Sequence, residues 1–270
     1  MNSIRTVSVQ QDTITPTIIS FVVIFALLFY TSSFLYLHYL TNVNIDFKVY
    51  MNAAKYMLQG SNPYTVTNFF NPTWILSIFL LFVNLPIQYS YSLWFVFSFF
   101  GYWLLGYKLK SHPITILAAL LSFPVLQGII WGQLDWFVLL GMFLPKPIGF
   151  LLLATKPQIT TGILLLWIYE ERKNLLKLLL PTIVCTILSV ILYGFWFVDI
   201  QTSLVTNTSI WPWGIIIGII LMLKKQHFVA SAFFSPFLSI QSWGNILFAM
   251  NPKYAILLSV ASWILWSYTI

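Results

Sequence analysis

The chain has 270 residues, of which 59% are hydrophobic, 19% aromatic and only 7% charged, with mean hydropathy +0.87 and a net charge of +7. A soluble domain carries about 25% charged residues, so a soluble globular protein is excluded and a multi-span membrane protein is expected. The thirteen basic residues are spread along loops, which fits orientation by the positive-inside rule and not a nucleic-acid surface.

Residues 1–15 are polar, with one Arg and one Asp, and do not resemble a cleavable signal. They read as a cytoplasmic tail. The apolar run at about 16–40 is too long for a signal core and is expected to be a retained first span. The segment 45–64, IDFKVYMNAAKYMLQGSNPY, follows at once and puts Asp46 where the chain leaves that run. Only six acids occur in the whole sequence, so each position carries information. From Asp46 the polar positions Lys48, Asn52, Lys55 and Gln59 recur at helical spacing. This predicts an amphipathic helix lying in the interface with one polar stripe. Gly60 ends it and Asn62-Pro63-Tyr64 makes the turn. Asp46 reads either as a helix N-cap or as an acid set at headgroup level for chemistry, and the first does not exclude the second.

The run 73–87, bracketed by Asn71-Pro72 and by Asn84 and Pro86, is expected to be an interfacial or re-entrant helix that does not cross. Runs at about 90–107, 113–130 and 131–145 follow. WGQLDW joins the last two and holds Asp135 between Trp131 and Trp136. A polar interfacial turn is one reading. The other is function, because an isolated acid near membrane depth is costly. Gln133 is suited to a sugar hydroxyl or to the turn backbone. The run 147–168 is broken by Lys156-Pro157, since proline removes a helix hydrogen bond. It is expected to form two half-helices that dip in and return around a cavity. Lys156, in ATKPQ, is either a snorkelling lysine or a point-charge partner for phosphate, with Gln158 as its companion. Runs at 178–198, 211–223, 228–249 and 253–270 complete the chain. Asp199 marks a span boundary, and Asn207 opens a formal glycosylation acceptor. Cys185 stands alone in an apolar run, with no internal disulfide partner and no metal-ligand spacing. His38 lies near the outer end of the first span. No HExxH, P-loop, GxGxxG, CxxC or GxSxG pattern is present, which argues against zinc proteases, nucleotide hydrolysis and serine hydrolysis.

The basic loops Lys108/Lys110, Arg172/Lys173/Lys177 and Lys224/Lys225 are expected to be cytoplasmic. With segments 73–87 and 147–168 not crossing, loop 41–72 lies outside, together with the turn at 132–135, the break at Lys156 and loop 199–210. Asp46, Asp135 and Lys156 then share one face of a single membrane domain, 1–270, with no internal repeat.

DFKVYMNAAKYMLQGSNPY resembles the first outer loop of GT-C type integral-membrane glycosyltransferases, the nearest group being the bacterial polyprenyl-phosphate-mannose-dependent mannosyltransferases. WGQLD, ATKPQ, SIWPWG and SPF resemble further landmarks of that family in the same order. The resemblance implies an all-α, polytopic transmembrane bundle of GT-C type in the plasma membrane, shorter than typical members, with its active site extracytoplasmic. It implies transfer of a hexose, mannose by analogy, from a polyprenyl-phosphate donor to a lipid or glycan acceptor. Asp46 takes the catalytic acid-base role. Lys48, Tyr64, Gln133, Asp135, Lys156 and Gln158 form the donor- and substrate-binding set, with Lys156 as phosphate clamp. Phosphate is already a good leaving group, so the chemistry needs a base for the acceptor hydroxyl and a stabilised departing phosphate, and a single displacement inverts the anomeric centre. No cofactor or metal site is indicated, and a divalent ion stays open. Two other readings compete. A lipid or solute transporter would commonly show paired halves, and none is found. A non-catalytic membrane subunit, bound to a partner, fits the short length.

Overall fold

The computed structural model describes residues 8–43, 45–195 and 207–267, and their only regular structure is helical, with no strand among them. Helix α1 (Ser8–Leu35) widens into a π turn at Tyr36–Leu40. Helix α2 (Asp46–Leu58) follows, then a 3-10 turn at Pro63–Thr65 and a short Thr73–Ile75 turn that runs into α3 (Leu76–Phe79). Next come α4 (Ile87–Lys108), α5 (Pro113–Leu120), α6 (Phe123–Trp131), α7 (Asp135–Leu140), α8 (Lys146–Leu153) and α9 (Pro157–Glu170). The chain continues with α10 (Leu175–Tyr193), α11 (Gly214–Leu223), α12 (His227–Phe233), α13 (Ile240–Leu247) and α14 (Pro252–Ser267).

Two segments are long and apolar enough to cross a membrane, Ile19–Leu40 and Leu175–Tyr193, and a third if α5 and α6, bent by 60°, make one span. Helix α10 shows why water is the wrong solvent for this surface. Leu176 and Ile191 are 71% and 72% exposed, and only Leu178 and Ser189 of that helix are buried. An apolar face of this kind belongs against lipid.

Proline sets the breaks. Pro124 removes a donor just after α5 ends, and α6 sets off in a new direction. The break expected at Lys156-Pro157 is present between α8 and α9. Pro157 cannot donate to Leu153, so the Leu153 carbonyl accepts instead from Thr160 Oγ1 at 2.8 Å and from Lys156 N at 3.3 Å. Lys156 itself sits outside helical geometry, at φ −132° and ψ 73°, as a residue before proline tends to. Two other runs depart from expectation. The run 131–145 is only the short α7 and a 3-10 turn at Gly141–Phe143, stopped by Pro145. The run 228–249 is divided into α12 and α13 around Ser235-Pro236.

The core is aromatic. Trp94 lies 4.6 Å from Phe79 and 5.3 Å from Trp136 between ring centroids, with Phe47 and Tyr91 beside them. Helix α2 is built into this core. Phe47, Val49, Tyr50, Met51, Ala53 and Ala54 are buried, while Asn52 and Gln59 of the polar stripe are exposed. Its apolar face therefore packs on protein, which holds its first turn rigidly for the site below.

Candidate functional site

A close approach of two backbones creates the site. Helix α6 ends at Gly132 in the left-handed region, φ 76°, a conformation that carries no Cβ penalty for glycine alone. Gln133 N closes the helix end by donating to Gly128 O at 2.8 Å. The bare Gly132 lies against α2, where a Cβ would stand 2.5 Å from Phe47 Cβ. Trp94 Nε1 donates to Gly132 O at 3.2 Å, and the Tyr91 hydroxyl donates to Ile130 O at 2.8 Å. The turn WGQLD is thereby pinned beside the first residue of α2, Asp46.

Four of the sequence-derived residues meet here in one chain of hydrogen bonds. Gln133 Nε2 donates to Asp46 Oδ2. Gln133 Oε1 accepts from Lys156 Nζ at 2.7 Å, and the same ammonium donates to Asp135 Oδ1 at 2.6 Å. Lysine only donates and carboxylate accepts, so the orientation of the Gln133 amide is dictated by its neighbours. Asp135 Oδ2 accepts from Ser242 Oγ and from Asn245 Nδ2, each at 2.9 Å. Burial grades along the chain. Asp135 is 0% and Lys156 6% exposed, whereas Asp46 and Gln133 are half-buried. The inner pair is sealed in protein, and the outer pair can be reached.

The electrostatics follow from two carboxylates sharing one lysine. Burial pushes the Asp46 carboxyl up to about 6, with Lys156 pulling it down and Asp135 adding to the rise. Burial also pushes Asp135 up. There the Lys156 charge, with hydrogen bonds from Lys156, Asn245 and Ser242, outweighs burial and holds the carboxyl below its ordinary value. A carboxylate that exchanges its proton near pH 6 is suited to acid-base work around neutrality. The plain readings of both acids give way. Both Asp135 oxygens are taken by side chains from distant segments, the break before α9 and helix α13, and Asp46 follows the cap residue Ile45 as the first helical residue.

The remaining expected site residues lie elsewhere. Lys48 folds back on the end of the first span, where Nζ donates to the carbonyls of Leu40, Thr41 and Val43 at 2.6, 2.6 and 2.8 Å and stands 5.4 Å from the Tyr36 ring. It ties α2 to α1 at the negative end of the helix. Tyr64 belongs to a second polar cluster, with its ring 5.3 Å from Phe69 and 6.3 Å from Tyr193, close to Thr73 and Ser189. In that cluster Thr73 Oγ1 donates to Ser189 Oγ at 2.9 Å. Gln158 is half-buried on the first turn of α9. His38 is exposed, its ring 4.3 Å from Phe34. Asp199 lies outside the described residues. The Asn207 amide is engaged, with Nδ2 donating to Pro236 O at 3.0 Å and Oδ1 accepting from Ser209 N and Leu238 N, so its work is to staple two loops.

Sequence reading missed Ser242 and Asn245, which sit three residues apart on one face of α13 inside what reads as an apolar run. It also missed Tyr50, a buried phenol on α2 whose hydroxyl accepts from Asn71 Nδ2 at 3.3 Å and which feels both acids. Among the described residues no group of three or more His, Cys, Asp or Glu could hold a metal ion. In comparisons with known proteins, no family model, no curated protein and no solved structure matches this chain.

Proposed function

We propose that this chain is a multi-pass membrane glycosyltransferase that moves a hexose from a polyprenyl-phosphate donor to an acceptor hydroxyl outside the plasma membrane. Two lines support this reading. One is the resemblance carried by DFKVYMNAAKYMLQGSNPY and the later landmarks. The observation that carries it is the chain Asp46–Gln133–Lys156–Asp135, which ends in a reachable carboxylate poised near pH 6.

In this mechanism Gln133 holds Asp46 Oδ2 and leaves Oδ1 to the acceptor. The acceptor proton passes to Asp46 as its oxygen attacks the anomeric carbon. The bond from that carbon to the phosphate oxygen breaks, and polyprenyl phosphate departs with the electron pair. Attack from the face opposite the phosphate inverts the anomeric centre. Lys156 is matched to Asp135, so its role is to hold Gln133 and bias Asp46; the departing phosphate must be met by other groups.

Asp46→Asn keeps the shape and removes the base. Purified chain in lipid vesicles is given polyprenyl phosphate carrying radiolabelled mannose, and transfer to acceptor and release of polyprenyl phosphate are counted. Loss of both in Asp46→Asn is expected. Unchanged turnover would remove Asp46 from the mechanism and this reading with it.

A further inference from the structure

Asp46 and Asp135 compete for a single cation, and their surroundings are unequal. Asp135 accepts from three side chains, Lys156, Ser242 and Asn245, while Asp46 accepts from Gln133. The Asn245 amide shows what this arrangement is for. Its Nδ2 faces two acceptors, Asp135 Oδ2 at 2.9 Å and Ser242 O at 3.0 Å, and Oδ1 is left buried with no hydrogen-bond partner. A buried unsatisfied acceptor is a feature that packing alone disfavours. The residue is oriented by, and for, the Asp135 carboxylate.

Helix α13 is held rigidly enough to impose this. Trp243 Nε1 donates to Thr208 Oγ1 at 3.0 Å, and Thr208 N donates to Leu238 O at 2.9 Å. The other ionisable groups around the pair are phenols and one committed lysine. Tyr50 from α2 faces both acids, Tyr102 from α4 faces Asp135, and Lys48 from α2 is tied to three carbonyls at the end of the first span. Phenols ionise ordinarily near 10, so neither tyrosine exchanges a proton in the range where a carboxyl does.

We propose that Ser242 and Asn245 are positioning residues that fix the negative charge on Asp135 through Oδ2, so that the proton exchanged by this carboxylate pair belongs to Asp46. Neither of them hydrogen-bonds to Asp46; their bonds run to Asp135 Oδ2. They act through Asp135 and Lys156. When two acids share one cation, the one that receives more hydrogen bonds and the closer cation ionises first, and the other is left to titrate late. Take away the two donors and the balance moves. Asp135 then takes a proton more readily, the Lys156 charge is released toward Gln133 and Asp46, and Asp46 ionises at lower pH.

The significance of this rests on the reading of Asp46 as the base, but its test needs no transfer reaction. The full chain in lipid nanodiscs is titrated by infrared spectroscopy, following the protonated carboxyl band that is absent in Asp46→Asn. The native midpoint is expected at about 6. In Asn245→Ala it should fall by about one pH unit, a roughly tenfold loss of proton affinity. Ser242→Ala, which loses only one oxygen, should shift it the same way by less, and Asn245→Gln should shift it less than Asn245→Ala. If Asn245→Ala fails to fold, the Ser242→Ala midpoint decides alone. A midpoint that stays in place or rises in the folded variants overturns the proposal. Loss of the glycosyltransferase reading, with these shifts present, would leave the assignment of charge intact.

Discussion

Lys156 is the residue for which two roles make opposite predictions. As a free phosphate clamp it would be dispensable to folding. In the structure it bridges Asp135 and Gln133 with its side chain 8% exposed and that of Asp135 1%. Lys156→Met leaves a fully buried carboxylate without its counter-charge, a change worth ~3–5 kcal/mol. Asp135→Asn is milder. It leaves a lysine that still donates to Gln133 and feels the Asp46 charge, so the loss is that of hydrogen bonds at a buried group, ~1–3 kcal/mol. The double variant removes both charges and retains an acceptor oxygen for Ser242, so it should lie within about 2 kcal/mol of the native chain. Additivity would instead place it ~4–8 kcal/mol below. Unfolding in mixed micelles with rising dodecyl sulfate, followed by tryptophan fluorescence, gives all four corners of the cycle. A double variant as unstable as the sum of its singles, or a Lys156→Met chain within about 0.5 kcal/mol of native, would refute the ion-pair assignment and restore the clamp.

Gly132→Ala forces a side chain into the left-handed region, at ~1–2 kcal/mol, and sets its Cβ against Phe47. Overpacking adds ~1–3 kcal/mol, so thermal unfolding should show a loss of ~2–5 kcal/mol together with slower transfer, because Gln133 is pushed from Asp46. Lys48→Met should lower stability by about 1 kcal/mol and leave the KM for the polyprenyl donor unchanged; a clear rise in KM would return Lys48 to the binding site. The pH profile of transfer should rise through about 6 as Asp46 ionises. Stability should run the other way. This carboxyl is raised on folding, so its contribution is fully present below the unfolded value near 4 and is lost as pH climbs from there to about 6. A transfer rate flat across pH 5 to 7 would exclude Asp46 as the group that titrates.

The residues that meet in the site were legible for a physical reason. In a chain with six acids, each carboxylate in an apolar setting needs a partner. Asp46 and Asp135 could be singled out on scarcity, Lys156 as a lone cation at a helix break in an apolar run, and Gln133 by adjacency. The polar stripe of α2 was legible too, as was the break at Lys156-Pro157. Lys48 was misread because helical spacing places it on the stripe while its long stem reaches back eight residues to carbonyls that exist only because the first span ends there. Ser242 and Asn245 were missed because neutral polar residues in an apolar run carry no such alarm. Their meaning appears only once Ser235-Pro236 splits that run and turns α13 toward Asp135.

The charge balance bears on what kind of base Asp46 can be. With Asp46 ionised, the three charged groups sum to minus one; with Asp46 protonated, they sum to zero. In surroundings of low dielectric the neutral state is favoured, so taking a proton from an acceptor moves the cluster downhill. A Lys156 not spent on Asp135 would hold Asp46 ionised at far lower pH and make it a poor base. The buried acid is therefore what keeps the exposed one basic. The same balance separates the two ends of the proposed reaction. A donor phosphodiester in contact with Asp46 would add a second negative charge and hold the acid protonated. An in-line displacement avoids this, because acceptor and phosphate stand on opposite faces of the sugar ring, with Asp46 on the acceptor side.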